Sequence, residues 1–414
     1  MKPVSSPNTL FTTLEKRSIL GLSGILFFRM YGLFLVLPVF SVMALELEEA
    51  TPVLVGIALG VYGVTQGLLQ VPFGMLSDRI GRKPVIMGGL LIFMFGTMMA
   101  ALTETVYWMI FARFLQGAGA VSSAIFAFIA DRTRPEVRTR ANAFLGGSVG
   151  LSFGLAVLSA PFMAQWFGLE GIFWLITGMT MVSMVFLLWG IPENTEKKTA
   201  IKLQTVQGML AEVWRQQPLR VINLGGFICG TGLSLFFFLV PLIMREHGYE
   251  RSELWMVYLP MLILGGLSMV PAAIIAESRN RYREVMLAGI LLFIGSLLML
   301  GINEQIHELH WFLPAFFLFF MGFNVFEPLF PSLVSRLTTE QTKGTATGVY
   351  NFFQFMGHFF GAVLAGICYQ KHFEWILAIL CVLEMLFFYV TLNFQNPGKT
   401  ESDMHSETAR AVSS

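Results

Sequence analysis

The sequence predicts an all-α membrane protein with twelve transmembrane helices arranged as two pseudo-symmetric six-helix bundles. Three observations lead there: the composition, the number of apolar runs, and a repeat between the two halves of the chain. Of 414 residues, 55% are hydrophobic and only 13% are charged. A water-soluble domain of this size cannot cover its surface with so few charges, whereas a chain whose outer face meets lipid can.

A membrane-spanning helix needs about 20 mostly apolar residues. Six such runs lie near 18–43, 53–76, 84–102, 106–130, 140–165 and 170–191. A polar stretch over 193–217 follows, carrying Glu196, Lys197, Lys198, Lys202, Glu212 and Arg215. Six more runs lie near 219–244, 253–276, 284–302, 310–334, 344–369 and 374–394. The expected organisation is therefore an N-terminal bundle at 1–192, a cytoplasmic linker at 193–217, a C-terminal bundle at 218–395 and a polar, disordered cytoplasmic tail at 396–414.

Orientation follows from Lys and Arg in the loops. Of the 27 basic residues, 22 fall on one side of this topology, and only Arg245, Arg251 and Lys371 fall on the other. Both termini are thus expected in the cytoplasm, which suits an even number of spans. The halves also match each other. "GMLSDRIGR" aligns with "AIIAESRNR" at 273–281, and "DRTRPEVRTRANA" aligns with "RLTTEQTKGTATG" at 336–348. Asp78 then falls on Glu277, Arg82 on Arg281, Arg138 on Lys343 and Ala141 on Ala346. Parallel repeats enclosing a binding site are a transporter plan.

Several classes are excluded. A net charge of +1 gives no field to attract nucleic acid. Cys229, Cys368 and Cys381 sit in apolar runs without metal spacing, so neither a disulfide framework nor a metal site is expected. The N-terminus "MKPVSSPNTLFTTLEKRS" is polar and the first apolar run is too long for a signal h-region, so no cleavable signal is expected. "GGSVGLSFG" at 146–154 is glycine-rich but lies inside a predicted membrane helix, not after a strand, and cradles no phosphate. With no nucleophile–base pair either, the chain is not expected to be an enzyme, and no cofactor is expected.

The loop between the second and third runs is where charge concentrates: Gly74-Met-Leu-Ser-Asp78-Arg79-Ile-Gly81-Arg82-Lys83. It resembles the signature loop of the major facilitator superfamily at every expected position, and the resemblance spans nearly the whole chain. "FRMYGLFLVLPV" (28–39), "YGVTQGLLQVPFGMLSDRIGRKP" (62–84), "FNVFEPLFPSL" (323–333) and "KGTATGVY" (343–350) make it most similar to the YajR group of bacterial proton-coupled drug-antiporter-like transporters. Some of that group carry a small soluble domain after the twelfth helix, and none is expected from the polar residues that follow it here.

The resemblance implies a secondary active transporter in a bacterial inner membrane, monomeric, working by alternating access on a small-molecule substrate with protons as coupling partner. It also implies roles. Gly74 and Gly81 permit close approach and a tight turn. Asp78 would face the N-terminus of helix eleven near Lys343–Gly348, where the helix dipole favours an anion. Arg82 would reach Asp131 at the end of helix four, completing a latch that closes the cytoplasmic side. Arg79 and Lys83 fit the positive-inside pattern equally well, but topology asks for no acid at position 78.

Charges inside the runs are functional candidates, because each is costly at bilayer depth. They are Arg29 in helix one, Arg113 in helix four, Glu327 in helix ten and Glu384 in helix twelve. Helices one, four, seven and ten line the central cavity in the superfamily. Glu327, expected in a poorly hydrated pocket, is the candidate proton carrier, with Arg29 as the partner that tunes it. A structural ion pair locking the halves is the competing reading. Arg113 matches the helix-four arginine of the family, in "RFLQG". Glu384 lies on a helix that is usually peripheral. His358 shares a helical face with Asn351 and Gln354; a neutral histidine bonded between helices and a proton relay both fit it. Gly146, Gly150 and Gly154 recur every four residues ahead of Pro161, a partial match to the antiporter motif of helix five. Phe236, Phe237, Phe238, Phe323 and Phe326 fit either helix packing or a greasy pocket. Export of amphipathic compounds leads; import of an anionic solute such as a chelated metal or siderophore, with Arg29 and Arg113 as its ligands, and a non-transporting receptor or scaffold are the alternatives.

Overall fold

The computed structural model describes residues 11–191, 206–302, 308–339, 342–369 and 373–398. Most of the expected linker and tail, including Lys197, Lys198 and Lys202, lies outside the described residues. Among the described residues the regular structure is helical, apart from one isolated parallel bridge between Glu48 and Thr105. The helices are α1 (Thr13–Val36), α2 (Phe40–Ala44), α3 (Pro52–Ile80), α4 (Arg82–Leu102), α5 (Val106–Ala118), α6 (Ser122–Arg132) and α7 (Pro135–Val185). After a π turn at Phe186–Gly190 come α8 (Val206–Arg215), α9 (Gln217–Glu246), α10 (Trp255–Ser278), α11 (Tyr282–Ile302), α12 (Leu309–Leu337), α13 (Lys343–Cys368) and α14 (Phe373–Leu392).

Among the described residues, eleven helical segments are long and apolar enough to cross a membrane. One of them, Glu136–Gly190, has 55 residues, more than twice the ~20 that a bilayer requires. It turns at Gly168, whose φ of +66° and ψ of −175° are open to glycine and not to a helix. The fifth and sixth runs are therefore joined at a corner without a loop, and the count is twelve spans.

Two other runs are less regular than their hydropathy suggests. The first breaks between α1 and α2, where the Tyr258 hydroxyl donates to the Pro38 carbonyl at 2.9 Å. The fourth breaks between α5 and α6 at Gly119–Val121. Irregular backbone at membrane depth survives only where protein supplies its hydrogen bonds. Here Arg29 Nη2 donates to the Gly119 carbonyl at 2.8 Å.

The helices pack as two compact units, one of Met1–Leu203, Gly230–Leu259 and Asn351–Phe373, the other of Gln204–Cys229, Pro260–Tyr350 and Glu374–Ser414. In the first, α1, α4, α6 and α7 share a core of Leu22, Ile25, Leu26, Leu90, Ile125 and Leu145. The Glu15 carboxylate begins α1 through a capping box with Thr12 and also holds Arg134 at the start of α7. Arg134 donates from its backbone N–H at 3.0 Å, from Nε at 3.0 Å and from Nη2 at 3.1 Å. That bonding holds the Arg134 guanidinium above its ordinary pKa. In lipid, helix association rests on close packing, so small residues mark the seams. A Cβ on Gly361 of α13 would stand 2.0 Å from the Thr231 carbonyl oxygen of α9.

The second unit has an aromatic core. Phe293 of α11 lies 4.9 Å from Phe319 and 5.4 Å from Phe326 of α12, centroid to centroid. Phe326 continues to Phe330 at 4.9 Å and to Phe387 of α14 at 5.7 Å. These are the separations at which ring pairs attract.

Candidate functional site

The charged loop folds around Gly81, whose φ of +102° ends α3 and starts α4 without a helical residue between them. The reversal returns Arg82 against the end of α3. Its Nη2 lies 2.6 Å from Asp78 Oδ1, its Nη1 donates to Ser77 Oγ at 2.6 Å, and its Nε donates to Asp131 of α6 at 3.0 Å. Ser77 in turn donates to the Gly74 carbonyl at 2.7 Å. The structure thus brings Gly74, Asp78, Gly81, Arg82 and Asp131 together. Arg82 is the centre, with 17% of its side chain exposed, against 20% for Asp131 and 62% for Asp78. Arg79 is exposed and Lys83 is half-buried.

Both arginines inside the first unit are buried, Arg29 at 2% and Arg113 at 1% exposure. Arg29 donates to Ser122 Oγ at 3.1 Å, to Gln66 Oε1 at 3.1 Å and to the Gly119 carbonyl. Its guanidinium also lies 5.6 Å from the Phe93 ring centre. Arg113 donates to Gln116 Oε1 at 2.7 Å and sits 4.9 Å from the Tyr62 ring centre. The named acceptors are all neutral, and one donor on each arginine, Arg29 Nε and Arg113 Nη2, has no hydrogen-bond partner. Gln66, Gln116 and Ser122 were not singled out from the sequence. Glutamines inside long apolar runs were the available signal.

In the second unit the two acids differ in burial. Glu327, expected in a poorly hydrated pocket, is exposed, while Glu384, on the helix expected to be peripheral, is buried at 5% exposure. The reason is angular. Phe326 and Phe330 hold the packed seam of α12, and the next residue along a helix points about 100° away. Glu327 still lies within electrostatic reach of Cys229 and Tyr350. Its own carbonyl has no i+4 donor, because that residue is Pro331, and Pro328 does the same to the Asn324 carbonyl.

On α13, His358 Nδ1 and Ser234 Oγ of α9 are 2.9 Å apart, and the Gly230 backbone bonds the same ring. Both geometries are those of a histidine tying two helices together. Asn351 and Gln354 precede it on α13 and are half-buried. Phe236, Phe237, Phe238, Phe323 and Phe326 are all buried, so they fill helix contacts and do not line an open pocket.

The profile of the Major Facilitator Superfamily matches residues 22–362. The inner membrane transport protein YajR of Escherichia coli (strain K12) is 35% identical over 353 residues, 85% of this chain and 77% of that one. Multidrug resistance protein MdtH of Proteus mirabilis is 26% identical over 343 residues, 80% of this chain and 81% of its own. The crystal structure of the human organic anion transporter MFSD10 superposes with a TM-score of 0.66 over 92% of this chain and 100% of that one; at 18% identity the likeness is one of fold.

Proposed function

The chain belongs to the Major Facilitator Superfamily and is a multi-pass membrane transporter, and from that premise we propose that it is a proton-coupled exporter of small amphipathic compounds. The observation that carries the reading is Glu327: a carboxylate in the interior of a 29-residue apolar helix, accessible, beside the buried Tyr350 and Cys229. A carboxylate at that depth is retained against a cost of a few kcal/mol. Its accessibility supports exchange of a proton with a water-filled cavity. In this reading the halves are the bundles at 1–192 and 218–395, the membrane is the bacterial inner membrane, and both termini face the cytoplasm. The Asp78–Arg82–Asp131 cluster is the latch that opens and closes with the transport cycle. Relatives named for multidrug resistance support an amphipathic cargo.

A second reading has its own observation. Arg29 and Arg113 are buried cations with spare N–H donors, and a buried charge calls for a counter-charge. An anionic solute moving inward would supply one.

The test is flux in liposomes. Purified protein under an imposed pH gradient is offered lipophilic cations and anionic chelates while internal pH is followed. Proton movement opposite to the cargo, lost in Glu327→Gln, is the expected result. Movement in the same direction as an anion selects the second reading. Wild-type coupling in Glu327→Gln removes that carboxylate from the mechanism.

A further inference from the structure

We propose that the second unit carries a separate, lipid-facing binding site for lipophilic organic monocations, with Glu384 as the counter-ion. A cavity of about 500 Å³ opens between α11 and α14. Leu297, Leu298 and Gly301 line it from one helix, and Cys381, Glu384 and Met385 from the other. Each set recurs at intervals of three and four residues, so each helix presents one continuous face to the groove. Leu298 and Met385 at its rim are 64% and 70% exposed. On helices that cross a bilayer, such side chains meet lipid.

The groove is apolar except at one place. Glu384 lies near the middle of α14, is 5% exposed, and its Oε2 has no hydrogen-bond partner. A carboxyl group in such surroundings is expensive unless something pairs with it. Among the described residues no basic side chain lines the groove, so none of them supplies the counter-charge there. A ligand with one positive charge and a greasy body answers both features: the charge meets the carboxylate, and the body fills the apolar walls. The volume is within the range of small-ligand pockets. An acyl chain would fill the walls and leave the acid unanswered, and an anion would meet repulsion. The cation is therefore the occupant that the chemistry selects. The proposal stands apart from the export reading, because it concerns binding and involves a different carboxylate from Glu327.

Equilibrium binding of radiolabelled tetraphenylphosphonium to the full chain, in nanodiscs of phosphatidylcholine, tests it. Two groove variants are used, Glu384→Gln, which removes the charge, and Leu298→Trp, which fills the rim. Each is measured alone and combined with Glu327→Gln, and neutral triphenylphosphine oxide is the competitor. The expected result is a tenfold or greater loss of affinity with either groove variant, in both backgrounds, and no displacement by the neutral competitor. Unchanged affinity in Glu384→Gln overturns the proposal. So does complete loss of binding in Glu327→Gln alone, which would put the cation at that acid. Equal displacement by the neutral compound would reduce the groove to a cleft for lipid chains, and also overturns it. On the unaltered protein, dicyclohexylcarbodiimide modification of Glu384, read by mass spectrometry, should slow severalfold with tetraphenylphosphonium. An unchanged rate refutes the site without any substitution.

Discussion

Replacing Gly361 by alanine should damage the packing of the first unit. The new Cβ would sit 2.0 Å from the Thr231 carbonyl oxygen, 2.7 Å from its carbon and 2.8 Å from its Cα. Ordinary contact begins near 3.4 Å, so α13 and α9 must separate by more than an ångström along this seam. All three obstacles are backbone atoms, and no rotamer change relieves them. Overpacking of this kind costs about 1–3 kcal/mol, and a backbone obstacle belongs at the upper end. The control is Gly150→Ala on α7, where nothing lies within 4 Å of the new methyl. Removing glycine from a helix interior there should stabilise by about 0.5–1 kcal/mol. Thermal unfolding of both variants in the same detergent, followed by loss of the monodisperse peak, is the assay. A midpoint several degrees lower for Gly361→Ala and equal or higher for Gly150→Ala is expected. Equal midpoints would mean that α9 and α13 do not meet as closely as described.

Further outcomes follow from the other clusters. Glu15→Gln removes the charge from three hydrogen bonds to Arg134 and should cost about 1–3 kcal/mol, read as a lower unfolding midpoint at neutral pH. Arg29→Lys cannot reproduce a fork reaching Ser122, Gln66 and Gly119 together, and should lower both stability and transport rate; full activity would show that charge alone suffices. Asp78→Asn should shift cysteine crosslinking across the cytoplasmic gate toward the inward-open pattern, and an unchanged pattern counts against the latch. Gly81→Ala adds a side chain at a φ of +102° and should cost about 1–3 kcal/mol in thermal stability without touching any charge.

The number and order of spans were legible because length and hydropathy are properties of the chain alone. The breaks were not. Residues 37–39 and 119–121 lie inside unbroken apolar runs, and what permits them is a distant donor, Tyr258 in one case and Arg29 in the other. The corner at Gly168 falls in the gap between the runs near 140–165 and 170–191, and nothing local reveals that its flanking helices meet without a loop. The reach of Arg82 to Asp131 was implied by the resemblance to the superfamily and not by spacing, while its pairing with Asp78 and with Ser77 had no signal in the sequence. The contrast in burial between Glu327 and Glu384 was not legible, for a geometric reason. In lipid both faces of a helix are apolar, so the periodicity that separates inside from outside in a soluble helix is faint.

The two prolines after Glu327 bear on how α12 can deform. A regular helix resists bending because every turn is cross-braced by hydrogen bonds from four residues on. Pro328 and Pro331 remove two of those braces within one turn, at the Asn324 and Glu327 carbonyls. The most compliant point of this 29-residue rod therefore coincides with its one ionisable mid-span side chain. Mechanical flexure of the rod and the surroundings of that acid are then a single coordinate: bending α12 re-aims Glu327, and any change in what Glu327 binds is felt first at the joint.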